Sequence, residues 1–282
     1  MSSRIFLNSF PKGGTNLAIK LLDLLGFRHT FNLSSMGFLG PKRYYWRLLR
    51  GPWNPTDFVL IGIDVPTPLR ASWLDRKLKS MTPGSTFSGH IGYSDHIFEI
   101  FQSNEIKCVQ IIRDPRDIAV SHAHYVSSLP THFLYRYYQS LADWNERLRF
   151  SISGGPVPSV GYLESIHNRA RSVEGWMRKA EVLTIRFEDI VGIQGGGSEE
   201  TQRASVIDLC EFLEINRSAK QISEVCQLIF GDSPTFRKGK IGSWGEEFTT
   251  EHVHLFNQVT NSLLSDWGYQ NRQTYSSSTN KL

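Results

Sequence analysis

Cysteine is scarce in this chain, with three residues among 282: Cys108, Cys210 and Cys226. None of them lies in a CxxC pattern or at metal-binding spacing from a histidine, and their neighbours are apolar. We therefore expect reduced core residues rather than a disulfide framework. No hydrophobic run reaches the length of a membrane span, and the apolar run after Met1 is too short for a signal peptide. These absences predict a soluble, cytoplasmic protein with no membrane partner.

A strong excess of one charge is also missing. The chain has 31 Lys and Arg against 27 Asp and Glu, a net charge of +4. That excess suits a small anionic ligand but is too weak to indicate nucleic-acid binding. No metal-ligand spacing is present, since His122 and His124 would face different sides of a helix. Hydrophobic residues make up 40% and charged residues 21%, which is typical of a globular protein.

A strand, a glycine turn and a helix follow one another between Arg4 and Gly26. The apolar run at residues 5–7 predicts a buried strand, and apolar residues at helical spacing follow from Thr15. Such a turn presents backbone N–H groups to a phosphate, Gly13 and Gly14 allow close approach, and Lys12 adds a charge. Lys12 precedes the glycines, so the GxxxxGK[ST] pattern of nucleotide-triphosphate P-loops is absent. Taken alone, the segment also fits an ordinary tight turn.

The remaining elements predict an α/β fold. Further strands are predicted at 58–62, 86–88, 107–113 and 182–187, and helices at 71–78, 95–102, 118–126, 162–179, 200–213, 219–230 and 249–264. Residues 28–55 and 192–198 are predicted to be irregular, and residues 127–161 to be helical and then a loop.

Two strand ends carry candidate functional side chains. His90 follows the strand at 86–88, and ligands bind at strand ends in open α/β sheets, although a lone histidine is more often structural. Arg113 ends the next strand, and Ser121 lies about two turns into the following helix, so both can reach one anion. The alternative is that Arg113 pairs with Asp117.

A third candidate lies near the end of the chain. Residues 231–245 form a glycine-bracketed loop in which Arg237, Lys238 and Gly239 combine two cations with a glycine amide. This combination is an efficient phosphate clamp, although the loop also fits a solvated linker.

Four motifs in order resemble the cytosolic-type sulfotransferases. SFPKGGTN resembles their 5′-phosphosulfate loop, IIRDPRDIAVSHAHY their 3′-phosphate motif, RFEDI their YEDL strand end, and FRKGKIGSW their FRKGxxGDW loop. The order and spacing agree from residue 4 to about residue 267. The resemblance implies a single α/β domain over residues 1–270, with a mostly parallel central sheet flanked by helices and a P-loop-like strand–loop–helix. Residues 271–282 would be a flexible polar tail.

The resemblance also implies a reaction and its site. The donor would be 3′-phosphoadenosine 5′-phosphosulfate (PAPS), the product adenosine 3′,5′-bisphosphate (PAP), and no metal would take part. His90 would be the general base and Lys12 would contact the phosphosulfate as a catalytic cation. The other cofactor-binding positions would be Gly13, Gly14, Thr15 and Asn16 for the 5′-phosphate, Arg113, Ser121, Arg237, Lys238 and Gly239 for the 3′-phosphate, and Phe187 at the YEDL tyrosine.

Several positions depart from the family pattern and suggest a divergent, bacterial member. Asn16 and Leu17 replace a threonine and a tryptophan, Ser88 replaces the lysine of the KTH segment, and Phe187 lacks the tyrosine hydroxyl. The family's dimer motif is not preserved, so the oligomeric state stays open.

The acceptor would be bounded by the aromatic-rich segments 28–83 and 127–161. A hydroxyl or nitrogen of a small organic molecule fits, such as an alkaloid, a lipid or a polyketide intermediate. For a cationic acceptor, Asp64, Asp95 and Asp143 are equivalent candidates. Two other functions remain open: a nucleotide-dependent kinase with a divergent P-loop, which would need magnesium and ATP, and a nucleotide-binding module without catalysis.

Overall fold

The computed structural model describes residues 3–35, 57–158, 161–231 and 238–269. Its strands are β1 (Arg4–Ser9), β2 (Arg28–Asn32), β3 (Phe58–Ile61), β4 (Thr67–Arg70), β5 (Ser85–Gly89), β6 (Ile106–Ile112), β7 (Gly155–Val157), β8 (Gly161–Leu163) and β9 (Val182–Arg186). Its helices are α1 (Thr15–Leu24), α2 (Ala71–Lys79), α3 (Asp95–Ser103), α4 (Pro115–Ser128), α5 (Tyr135–Ser140), α6 (Trp144–Ser153), α7 (Ile166–Arg171), α8 (Glu174–Met177), α9 (Phe187–Ile190), α10 (Glu199–Phe212), α11 (Ala219–Leu228), α12 (Thr250–Thr260) and α13 (Leu263–Asp266).

Five strands form one sheet in the order β2-β5-β1-β6-β9, and every neighbouring pair runs parallel. Strand β1 is central and pairs with β5 on one side and with β6 on the other. Helices α1, α3 and α10 pack against strands of this sheet. Parallel strands covered by helices are buried on both faces, which explains the continuous apolar runs in β1 and β6. The predicted α/β fold with a parallel central sheet is confirmed.

In the first third of the chain one prediction was wrong, and the prediction of a buried strand at 58–62 was right only in part, since the strand is present with Val59 and Ile61 buried. Strand β2 lies in a segment that we expected to be irregular, and it pairs with β5 along most of its length. Its sequence, RHTFN, lacks an apolar run because this strand forms the partly exposed edge of the sheet. Strand β3 was expected to be buried, but it pairs with β4 in an antiparallel hairpin and leaves Leu60 59% exposed.

Other boundaries also differ from the prediction. The expected loop before residue 161 contains β7, which pairs with β8, and the expected helix 162–179 is divided into the end of β8, α7 and α8. The expected helix 249–264 breaks at Asn261, whose φ of +48° is left-handed, so α12 and α13 are separate. The loop 192–198 contains a short 3₁₀ turn at Ile193–Gly195.

Contacts group the chain into two compact units, residues 1–112 with 172–239, and residues 113–171 with 240–282. The first unit contains the five-stranded sheet and an aromatic core in which Phe6 contacts Phe87, Phe101 and Trp176 with ring centroids 4.7–5.7 Å apart. In the second unit, α4 packs against α5 and α6. All three cysteines are free thiols, as expected, and two of them are buried. Among the described helices, none is both long and apolar enough to cross a membrane.

Candidate active site

The loop between β1 and α1, residues 10–14, is named the glycine loop here. The Gly13 N–H donates to the Phe10 carbonyl at 2.8 Å and closes the turn. Lys12 and Gly14 both have left-handed backbones, with φ of +68° and +110°. Gly14 is the N-cap of α1, and within the described residues no side chain caps this helix. The first amides of α1 are therefore arranged to bind an anion next to Lys12.

Gly14 also brings the glycine loop close to the sheet. A Cβ atom on Gly14 would lie 2.8 Å from Cδ2 of Phe187 and 3.0 Å from Cδ1 of Ile111. Phe187 is buried and begins α9 directly after β9. The sequence placed a cofactor contact at Phe187, and the structure places this ring against the loop as an apolar wall.

His90 follows β5, and its Nδ1 lies 2.9 Å from the backbone carbonyl oxygen of Ser9, the last residue of β1. A carbonyl oxygen can only accept, so we assign the proton of the neutral ring to Nδ1, which leaves the lone pair on Nε2. The Ser9 hydroxyl lies 3.0 Å from the same Nδ1 and 2.6 Å from the Thr15 hydroxyl. A chain of hydrogen bonds thus joins the histidine to the first residue of α1.

Three further side chains that the sequence analysis missed hold the backbone around His90. The Ser34 hydroxyl accepts from the His90 N–H at 2.6 Å. The buried Asn8 amide accepts from the Ile91 N–H and donates to the Ile91 carbonyl, both at 2.9 Å. The Trp176 indole N–H donates to that carbonyl at 3.0 Å. A polar Asn8–Ser9 pair at the end of an apolar strand was the available sequence signal.

The charge of His90 depends on opposing effects. Burial lowers the pKa of this imidazole below 6.5. The Ser9 carbonyl and the negative charge of Asp64 act to raise the pKa, and the positive charge of Lys12 acts to lower it. His90 is therefore neutral at pH 7, which is the state that accepts a proton.

The three candidate aspartates now differ. The Asp143 carboxylate caps α6 by accepting from the Glu146 N–H at 2.9 Å. Asp95 is hydrogen-bonded to Tyr93 and lies 3.6 Å from the Lys179 ammonium. Asp64 is the one of the three whose charge affects the pKa of His90.

In the second unit, Arg113 follows directly on β6 and is 8% exposed. Its guanidinium donates to the Lys240 carbonyl at 2.9 Å and lies 3.8 Å from the Asp117 carboxylate. The pairing with Asp117 that the sequence analysis left as an alternative is therefore present. Ser121 is partly exposed on α4, and its hydroxyl makes no hydrogen bond to the described part of the chain.

Asp117 is completely buried and binds the segment that follows Lys240. Its carboxylate accepts from the Gly242 N–H at 2.8 Å, from the Ser243 hydroxyl at 3.0 Å and from the Trp244 N–H at 2.9 Å. Burial raises the pKa of this carboxyl group, while the Arg113 charge and the two amides oppose that shift. This role was not visible in the sequence.

The second arginine of the RDPRD motif has a different environment. Arg116 forms an ion pair with Asp114 at 2.6 Å, donates to the Tyr269 carbonyl at 3.3 Å and lies 4.2 Å from the centre of the Trp244 ring. Asp114 also caps α4 by accepting from the Arg116 N–H at 2.9 Å. These contacts hold the start of α4 in place.

The structure thus gathers part of the predicted site in the first unit, at the ends of β1, β5 and β9. That part comprises Lys12, Gly13, Gly14, Thr15, Asn16, His90 and Phe187. Gly239 also belongs to this unit, and a Cβ on Gly195 would lie 2.7 Å from its carbonyl oxygen. Lys238 precedes it and is partly exposed, whereas Arg237 lies outside the described residues. No cluster of His, Cys, Asp or Glu that could hold a metal was found in the part of the chain that the structure describes.

Comparisons with known proteins agree with this architecture. The family described as "Sulfotransferase domain" matches residues 2–268. The structure of mouse sulfotransferase SULT7A1, complexed with PAP, is similar with a TM-score of 0.62 and 18% identity, over 95% of this chain and 86% of that one. Retinol dehydratase, in complex with androsterone and PAP, is similar with a TM-score of 0.56 and 16% identity, over 93% of this chain and 81% of that one. At these identities the two structures establish the fold.

Proposed function

Because the chain belongs to the sulfotransferase family, we propose that it transfers a sulfuryl group from PAPS to a hydroxyl or nitrogen of a small organic acceptor. The observation that carries this proposal is the chain of hydrogen bonds from His90 through Ser9 to Thr15, the residue that directly follows the glycine loop. It combines a neutral base, whose Nε2 lone pair is available, with an anion-binding helix N-terminus. PAPS supplies the sulfuryl group when it is bound.

The residues of the first unit fit such a donor. The amides of Gly14, Thr15 and Asn16 lie at an uncapped helix start, and the Thr15 hydroxyl lies beside them. A Cβ on Gly13 would lie 2.8 Å from the Phe10 carbonyl oxygen and one on Gly14 would lie 2.8 Å from the Phe187 ring, so glycine at both positions allows the loop conformation that presents these amides. Two similar structures are described as complexes with PAP, which supports the same ligand here.

We assign one role to each charged group. His90 Nε2 accepts the proton of the acceptor's hydroxyl or amine group as the oxygen or nitrogen of that group bonds to sulfur. Lys12 and the amides of the glycine loop neutralise the charge that the departing 5′-phosphate oxygen gains. The Lys12 ammonium and the backbone N–H groups supply this stabilisation, so the chemistry has no need of a metal ion.

Other residues are proposed to bind the 3′-phosphate. We assign it to Arg113 and Ser121, as the family motif implies, with Arg237, Lys238 and Gly239 completing the set. Arg113 suits this role because its guanidinium is held in one place by Lys240 and Asp117. Phe187 contributes an apolar contact.

The acceptor class is supported by one comparison. Androsterone, a small organic molecule, is described as bound to retinol dehydratase. We propose an acceptor of that size, held by aromatic side chains of the segments 28–83 and 127–161. A cytoplasmic location stays a prediction of the sequence.

Calorimetric titration tests the proposal directly. We expect PAP to bind without magnesium and ATP with magnesium to bind far more weakly. The Arg113→Ala variant should lose about 2–5 kcal/mol of PAP binding free energy if its charge pair is buried in the complex. Magnesium-dependent ATP binding without PAP binding would instead establish a kinase. PAP binding with no transfer from PAPS to a panel of phenols, alcohols and amines would favour a nucleotide-binding module.

A further inference from the structure

Asp117 is a buried carboxylate with two kinds of partner. One is Arg113, which is predicted to bind the 3′-phosphate, and the other is the segment that follows the predicted phosphate clamp. On one side it lies 3.8 Å from the Arg113 guanidinium. On the other it binds residues 240–244, named the anchored segment here, through the backbone N–H groups of Gly242 and Trp244 and the hydroxyl of Ser243. Arg113 closes the arrangement by donating to the Lys240 carbonyl at 2.9 Å.

This arrangement explains why a carboxylate is buried here. An isolated buried charge is costly, and one that accepts several hydrogen bonds and faces a guanidinium is compensated. Asp117 uses both carboxylate oxygens, since Oδ2 accepts from Gly242 while Oδ1 accepts from Ser243 and Trp244. The anchored segment follows Lys238 and Gly239 directly in the sequence.

We propose that Asp117 is a positioning residue for 3′-phosphate binding: it holds Arg113 and the anchored segment in their binding arrangement before the nucleotide arrives. The inference rests on the proposed function, because it assumes that Arg113 binds the 3′-phosphate. Preorganised charged donors bind an anion more tightly than mobile ones, since less conformational freedom is lost on binding. Asp117 itself touches no ligand in this account.

The test compares PAP with adenosine 5′-monophosphate, which lacks the 3′-phosphate. The dissociation constant of the monophosphate divided by that of PAP measures what the 3′-phosphate contributes to binding. A loss of stability alone would leave this ratio unchanged. In the Asp117→Asn variant an NH₂ group replaces one acceptor oxygen and faces N–H donors. We expect the ratio to fall by about tenfold or more, while binding of the monophosphate stays nearly constant.

Asp114→Asn is the matched control. Asp114 is also buried at the start of α4, but its guanidinium partner is Arg116. We expect this variant to be destabilised with an unchanged ratio. Ser243→Ala, which removes one hydrogen bond to Asp117, gives a milder variant if Asp117→Asn fails to fold, and its ratio should fall by about twofold to tenfold.

Two outcomes separate this inference from the proposed function. If the unmodified protein prefers PAP but the Asp117→Asn variant, or Ser243→Ala in its place, shows the same ratio, Asp117 is structural and the inference is wrong. If the unmodified protein binds both nucleotides equally, the 3′-phosphate assignment fails and this inference fails with it. Hydrogen exchange in the nucleotide-free protein adds an independent readout, since the Gly242 and Trp244 amides should exchange faster in Asp117→Asn.

Discussion

His90 Nδ1 and the Ser9 carbonyl oxygen lie 2.9 Å apart although 81 residues separate them in the sequence. The pairing of β1 with β5 brings their carboxyl ends together and makes this contact possible. It assigns the ring proton to Nδ1, so Nε2 is the atom that can accept a proton. A structural feature of the sheet thus determines which nitrogen of His90 is available for the proposed role as base.

Replacing His90 with glutamine tests this assignment. Glutamine keeps a polar side chain of similar size but cannot act as a base near pH 7, so we expect kcat for transfer to fall by about 100-fold or more. PAP binding, measured by calorimetry, should be retained. His167→Gln is the matched control, because His167 Nδ1 also lies 2.9 Å from a carbonyl oxygen, that of Thr260, and has no proposed role. Equal activity in both variants would remove His90 from the mechanism.

The pH dependence of kcat/KM for the donor follows from the lowered pKa of His90 in the free protein. The reaction needs the neutral ring, so kcat/KM should rise as the pH increases through a pKa below 6.5 and should then remain constant. In the Asp64→Asn variant the rise should move to lower pH, because the negative charge of Asp64 acts to raise that pKa. The measurement needs an acceptor that does not titrate in this range. A rise centred well above neutral pH would show that another group is the base.

The parts of the fold that the sequence predicted are those with a local signal. β1 and α1 follow from a short apolar run, a glycine turn and helical periodicity. β2 was missed because it pairs with β5, which lies 56 or 57 residues away and leaves no sign in the local pattern. The β7–β8 hairpin was missed because its three-residue strands contain glycine and proline, which are depleted in strands.

The residues of the candidate site also divide into those that the sequence reveals and those that it does not. Lys12, His90 and Arg113 stand out by residue type and by their places at strand ends. Asn8, Ser34 and Asp117 do not, because their roles depend on partners between 56 and 127 residues away. The positioning of a site is a property of tertiary structure, and a single sequence shows little of it.

Gly14→Ala tests the close approach of the glycine loop to Phe187. The new Cβ would lie 2.8 Å from the buried Phe187 ring, so overpacking adds to the strain of a left-handed backbone. Gly161→Ala is the control, because Gly161 has a φ of +108°, close to +110° at Gly14, and no described atom within 4 Å of its Cβ position. Urea unfolding should show that Gly14→Ala costs about 1–3 kcal/mol more than Gly161→Ala. PAP binding should weaken in Gly14→Ala alone, and equal losses in the two variants would mean that the contact with Phe187 is unimportant.

Arg116→Ala separates stability from binding within the RDPRD motif. The variant leaves the Asp114 carboxylate buried without its guanidinium partner and exposes the Trp244 ring, so the free energy of unfolding should fall by about 3–5 kcal/mol. Arg149→Ala, which breaks an exposed pair with Glu146, should change the free energy of unfolding by no more than about 1 kcal/mol.

Well below its melting temperature, Arg116→Ala should still bind PAP, whereas Arg113→Ala should not. Adding Asp114→Asn to Arg116→Ala should restore part of the lost stability, because the unpaired carboxylate is then gone. No restoration would indicate that lost packing around Trp244, rather than the unpaired charge, causes the instability.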